Sequence, residues 1–310
     1  MTNERRAAAT SVVLPFIIFT TIWGSTWIVI RDQLGTVPAQ WSITYRFIIA
    51  AAAMSLIARW KGESLRLPAA ALLPAAALGF FQFVVNFNAV YLAEHQITSG
   101  LVATVFALLL IPNSLLAWAF LGQRPSARFA WSSLVAVSGI GLLFAHELGE
   151  HPARAGEILL GIGLTLIGLL GASIANVYQA REEVKRFPLF ALLAWAMGLG
   201  ALMDGALAIL LAGPPVIEAR AGYWLGLVYL AVFASALAFS LYLPVVRRVG
   251  PGKAAYSSVL VPIIAMAFST WLEDYRWTFT TMAGAVLALG GMLFALTGAR
   301  APQVTAPDAA

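Results

Sequence analysis

Ten apolar stretches, each about 20 residues long and separated by short polar segments, occupy almost the whole of a 310-residue chain. That is the length a helix needs to cross the hydrocarbon core of a bilayer. Only helices and closed barrels satisfy their own backbone there. Barrel strands alternate apolar and polar side chains, whereas these stretches are continuous, so the pattern predicts helices. The spans are placed at 11–30, 39–59, 69–93, 97–121, 127–145, 155–179, 188–212, 222–247, 252–272 and 278–298. Composition agrees: 61% of residues are hydrophobic and 11% charged. A soluble domain carries roughly 25% charged residues, so an ordinary soluble enzyme is excluded. The chain has no cysteine, which removes disulfides, thiolate metal sites and Cys nucleophiles. Its three histidines, His95, His146 and His151, stand at or beyond span ends, a poor basis for a metal site.

The chain also repeats itself. Pro112 precedes Gly141-Leu142-Leu143-Phe144 by 29 residues, and Pro262 precedes Gly291-Met292-Leu293-Phe294 by the same 29. The two sets are offset by 150 positions. Each copy holds five spans, an odd number, so the second must enter the membrane from the opposite side. The expected fold is an all-α membrane protein of ten transmembrane helices, arranged as two inverted five-helix repeats, residues 1–150 and 151–300. Residues 301–310, with Pro302 and Pro307, read as a disordered tail. Inverted repeats are a recurring basis for alternating access, because two equivalent halves can exchange conformations. The plainer alternative is that duplication only enlarged the protein.

The net charge of +5 is distributed as an orientation signal rather than as a nucleic-acid patch. With a cytoplasmic N-terminus, the inner segments hold fourteen basic residues, among them Arg59, Lys61, Arg124, Arg128, Lys185 and Lys253. The outer segments hold four: Arg31, Arg154, Arg220 and Arg276. That bias places both termini in the cytoplasm. Arg5 and Arg6 resemble the start of a signal peptide, but Ile28-Val29-Ile30-Arg31 offers no small-residue cleavage site, so the first span reads as a retained helix.

The first two spans read Ile22-Trp23-Gly24-Ser25-Thr26-Trp27, then Pro38, then Tyr45-Arg46-Phe47. This resembles the drug/metabolite transporter superfamily, in its ten-span EamA-type branch. The Pro112 and Pro262 segments look like that branch's fourth and ninth spans. Gly139-Ile140-Gly141 and Gly290-Gly291 look like its glycine-bearing fifth and tenth. Within the branch the chain is most similar to the YddG-type exporters of aromatic and some other amino acids. The resemblance implies a central cavity between the halves, export from cytoplasm to periplasm across a bacterial inner membrane, and no bound cofactor. Where the family often carries a Glu after the fourth span this chain has Gln123, while Glu273 keeps an acid in the second copy.

Polar residues inside spans are costly to expose to lipid and should face inward. Gln82 and Asn86, four apart in the third span, share a helical face. They either line a cavity or tie helices together. Asn88 points the other way and reads as a tie. Trp23 and Trp27, also four apart, form an aromatic wall or simply pack. Ser99, Ala103, Phe106, Leu110 and Asn113 follow one face of the fourth span, and Tyr256, Ser257 and Ser258 precede Pro262 in the ninth. Asn176 with Ser173, and Phe239 with Ser235, offer polar-plus-aromatic faces in the sixth and eighth spans. Pro112 and Pro262 free the carbonyls of Leu108 and Ser258 and mark hinges or static bends. Two charges fall within spans. Arg46 is expected to snorkel to the interface. Asp204, too short for that, is a proton carrier or an outer hydrogen-bonding group. Gly161, Gly168, Gly171, Gly139 and Gly141 should let helices approach closely, and Gly222 with Gly226 forms a GxxxG that allows a homodimer as well as a monomer.

No Walker-type phosphate loop, HExxH or GxSxG is present. The reading is a secondary transporter whose partners are a small-molecule substrate and the lipid bilayer, not nucleic acid. Amino acids with aromatic or other hydrophobic side chains are the expected substrates, bound among the first, third, fourth, sixth, eighth and ninth spans. The alternatives are an exporter of drugs, organic cations or other metabolites, or a membrane-embedded enzyme acting on lipid-linked substrates. The enzyme would need clustered acids or histidines at one membrane face.

Overall fold

The computed structural model describes residues 3–249 and 257–297, and among them every regular element is helical. Tyr256, Lys253 and the tail 301–310 lie outside the described residues. Eight helical segments are long and apolar enough to cross a membrane: Val13–Gln33, Ala39–Trp60, Ala69–Glu94, Ser99–Leu121, Ala127–Glu150, Pro152–Gln179, Leu189–Ala212 and Ala221–Val245. Two shorter apolar helices, Ser257–Leu272 and Phe279–Phe294, complete ten. They match the expected spans one for one and are numbered here in chain order.

Short breakers set the ends. Pro38 and Pro188 immediately precede the second and seventh spans, where a missing N–H costs nothing. Gly122, at φ 70°, closes the fourth span in the left-handed region. Ser126 caps the fifth, its Oγ accepting from the Phe129 N–H at 3.1 Å. Leu202, Leu210 and Leu225 are exposed on the helix flanks, as lipid-facing residues are. Trp60, Trp131 and Trp271 are exposed near span ends, at the level of the two interfaces.

The principal packing contacts obey a swap. Replace each span by its counterpart five later, and the list of touching pairs maps onto itself. First–ninth becomes sixth–fourth, first–eighth becomes sixth–third, and second–eighth becomes seventh–third. Second–seventh, fourth–ninth and fifth–tenth each map to themselves. The two repeats are therefore related by a pseudo-two-fold axis, and five spans per repeat make that relation an inversion across the bilayer.

Fifth and tenth form the closest of these pairs. A Cβ on Gly139 would lie 2.4 Å from the Ala288 nitrogen, and one on Gly291 would lie 2.7 Å from the Ala136 nitrogen. Backbone meets backbone at these points, which only glycine permits. Gly171 similarly lets the sixth span approach Phe81 of the third. One glycine expectation fails. A Cβ on Gly141 would meet nothing within 4 Å, because that residue faces away from the tenth span. Gly226 of the GxxxG packs on Val29 of the first span, while Gly222 is exposed beside Arg220.

The repeat extends to helix type. A π-helical stretch interrupts the third span at Gly79–Val85 and the eighth at Tyr229–Leu237, with starts 150 residues apart. The fourth span tightens to a 3-10 turn at Ala107–Leu109. There the Pro112 ring removes the hydrogen bond to Leu108.

Candidate functional site

A cavity of about 180 Å³ lies between the repeats. It is walled by the first, third, fourth, sixth, eighth and ninth spans, with one side chain, Arg46, entering from the second. Trp23, Trp27, Gln82, Asn86, Phe106, Asn176, Phe239, Ser257 and Pro262 all line it. Ser99, Pro112, Ser173 and Asp204 do not, although Asn113, beside Pro112, does. The lining reaches Asn176 in the last turn of the sixth span and Ser257 in the first turn of the ninth.

One wall is aromatic. Trp23 packs at 5.0–5.6 Å between ring centroids against Tyr242, Phe19 and Phe239, and its Nε1 donates to the Ala234 carbonyl at 3.1 Å. Trp27 lies 5.5 Å from Phe106, and its buried Nε1 has no hydrogen-bond partner.

The amides form a second group. Gln82 and Asn86 share the face their spacing implies, with Asn86 Nδ2 donating to the Gln82 carbonyl at 3.3 Å. Asn86 Oδ1 is buried without a partner. Asn176 Nδ2 reaches Asn113 Oδ1 at 3.5 Å, which joins the sixth and fourth spans. Asn88 turns away, as expected, and its Nδ2 donates to Asp204 Oδ1 at 2.6 Å. Asp204 is fully buried behind the third span.

Arg46 corrects the sequence reading. Instead of snorkelling, it is 2% exposed and faces the cavity. Its Nε and Nη2 each donate to Ser235 Oγ at 3.2 Å, and Nη1 donates to the Tyr91 hydroxyl at 3.4 Å. The guanidinium sits 4.5 Å from the Phe87 ring centroid. Ser235 is itself held by donating to the Leu230 carbonyl, five residues back across the π-helical stretch. Arg46 and Ser235 were both visible in the chain, but their meeting depends on three spans, which no periodicity of one span reports.

Ser99 belongs to a different structure, the closure of the bundle at the end opposite the N-terminus. Its N–H and Oγ donate to the Glu273 carboxylate at 3.1 Å and 2.5 Å. An anion at the start of the fourth helix is favoured by the helix dipole. Arg31 lies 3.5 Å from the same carboxylate and also donates to the Glu94 carbonyl. Arg220 clamps Asp32 with 3.0 Å bonds to both carboxylate oxygens. That bond raises the Arg220 pKa, and the Arg220 backbone N–H followed by Thr36 lowers that of Glu218, so these two groups stay charged at neutral pH. A hydrogen-bonded chain runs inward from it: Tyr91 donates to Gln33 Oε1 at 3.3 Å, and Gln33 donates to the Tyr223 carbonyl at 3.4 Å.

Ten spans in two inverted repeats around a central cavity are the architecture of a multi-pass membrane transporter. The chain belongs to the EamA-like transporter family, whose model matches twice, over residues 10–145 and 159–297. It is 28% identical over 284 residues to the "Uncharacterized inner membrane transporter YedA" of Escherichia coli K12, covering 89% of this chain and 86% of that one. It is 24% identical to the "Probable amino-acid metabolite efflux pump" of the same organism, covering 92% and 94%. A protein of known crystal structure shares the fold, with a TM-score of 0.68 at 17% identity over 92% of this chain and 97% of the other.

Proposed function

We propose that this transporter exports amino acids with aromatic or other hydrophobic side chains from cytoplasm to periplasm, across an inner membrane, by alternating access. The observation that carries the reading is the cavity wall. Matching spans of both repeats supply it, and it combines edge-to-face and tilted aromatic rings with amides that both donate and accept. Both termini are cytoplasmic in this reading, on the fourteen-to-four distribution of basic residues. The Arg31–Glu273 and Arg220–Asp32 closure then faces the periplasm, and the cavity extends toward the cytoplasm. Family membership supports a transport role rather than catalysis. One second reading has a specific observation behind it: the Trp23–Tyr242–Phe239 cluster has ring faces suited to an organic cation.

Reconstituted uptake of labelled phenylalanine, threonine and an organic dication separates the two. We expect saturable amino-acid transport, lowered tenfold or more in the Trp23→Ala, Gln82→Ala double variant, roughly the effect of losing 1.4 kcal/mol of binding. Wild-type rates in that variant, or transport of the dication alone, would defeat the amino-acid reading.

A further inference from the structure

We infer that the cavity selects its cargo by a carboxylate, with Arg46 as the anchoring cation. The inference rests on the transport reading above and narrows its substrate class. Among the described residues, the cavity lining carries one charge, Arg46, and no acidic side chain. No Asp or Glu lies within salt-bridge distance of that guanidinium among those residues. Arg46 has five N–H donors. Three are spent, two on Ser235 and one on Tyr91, all on neutral hydroxyls. Two remain for a ligand. A charge this deeply buried is held in place by those hydroxyls and by Phe87, while the buried Glu94 carboxyl acts on it only from beyond salt-bridge distance.

Two further groups on the same wall are buried and unpartnered. Trp27, 8% exposed, has a free indole N–H, and Asn86, 4% exposed, has a free carbonyl oxygen. Among the described residues that line the cavity, these are the two whose side chains carry a buried polar atom without a partner, and a ligand there would supply both. A zwitterion completes the set. Its carboxylate takes the open Arg46 donors and the Trp27 N–H, and its ammonium donates to Asn86 Oδ1. The aromatic cluster around Trp23 is left for the side chain. An organic cation meets the opposite arrangement: a guanidinium without an ion-pair partner repels it, and no carboxylate receives it among the described lining residues.

The test uses three compounds that differ only at the head group: phenylalanine, 3-phenylpropionate, which lacks the ammonium, and phenylethylamine, which lacks the carboxylate. Each is titrated against the purified full chain in detergent by thermal shift, and each is offered to proteoliposomes for uptake. We expect both carboxylates to bind and phenylethylamine not to compete with them. Arg46→Gln should lose roughly tenfold to a hundredfold in affinity for both carboxylates, the range for a charge-assisted hydrogen bond. Arg46→Lys should recover part of that loss. Monodisperse elution and an unchanged ligand-free melting temperature show that the variants fold. If a variant does not fold, the three-compound comparison on the wild type decides alone. Phenylethylamine binding as tightly as phenylalanine, or wild-type affinity in folded Arg46→Gln, overturns the carboxylate anchor. If phenylethylamine is also transported, the export reading survives that loss. No binding or uptake of either carboxylate overturns both together.

Discussion

Asn86 and Asn88 stand two residues apart on one helix and serve opposite sides of it. Asn86 lines the cavity, while Asn88 binds Asp204 behind the wall. The 3.6-residue helical period made that division legible, because residues two apart point in nearly opposite directions. It left Asp204 open between a proton carrier and a structural group. Its place behind the third span, on Asn88, favours the structural role. Asp204→Asn is therefore expected to keep the wild-type response of uptake to an imposed pH gradient. Loss of that response in a folded variant would make Asp204 the coupling group. Arg46 was misread for a different reason. Snorkelling is the default for a long cationic side chain on a lone helix. Tyr91 from the third span and Ser235 from the eighth hold it inward, and no single-span argument contains them. Ser99 was assigned to the cavity because it shares a face with Phe106 and Asn113. It stands two turns nearer the rim than Phe106, where Glu273 of the ninth span captures it.

At the scale of elements, hydropathy found every span because length and apolarity are what a bilayer selects. It could not find the π-helical stretches, since an i→i+5 bond leaves the apolar content of a segment unchanged. Those stretches have a use: the one in the eighth span supplies the carbonyl of Leu230 that fixes Ser235, the support of Arg46. Nor does glycine content say which glycine touches. Gly139 and Gly141 are about 200° apart around the fifth span, so one meets the tenth and the other does not. Gly139→Val should cost about 1–3 kcal/mol or more through overpacking against Ala288 and Gly284. Gly141→Ala should be neutral or gain up to about 1 kcal/mol of helix propensity. Thermal denaturation of the two variants in one detergent compares them directly, and equal melting temperatures would refute the assigned helix face.

For the whole molecule, the swap of touching pairs sorts the contacts into two kinds. Under the proposed alternating access, first–ninth and sixth–fourth trade places when the halves exchange conformations, so each must change. Fifth–tenth trades only with itself and is not required to. The chain contains no cysteine, so paired cysteines can be placed without background. An Arg31→Cys, Glu273→Cys pair bridged by a disulfide-containing bis-maleimide reagent staples the first span to the end of the ninth, where the native side chains form a 3.5 Å ion pair. It should abolish uptake until reductant is added. The same reagent on a His146→Cys, Thr278→Cys pair joins the fifth and tenth where those side chains now meet at 3.0 Å. It should leave uptake nearly intact. Loss of uptake in the second would mean that the two helices slide past each other during the cycle.

The glycine seam between Gly139, Gly284 and Gly291 has a mechanical consequence. Backbones in direct contact have no flexible side chains between them to take up a shift, so that seam resists shear while still allowing a small rotation about the contact. In the proposed alternating-access cycle it is the fulcrum. The remaining eight helices are the levers, and a stiffer or looser seam would set how fast the molecule turns over without altering what it carries.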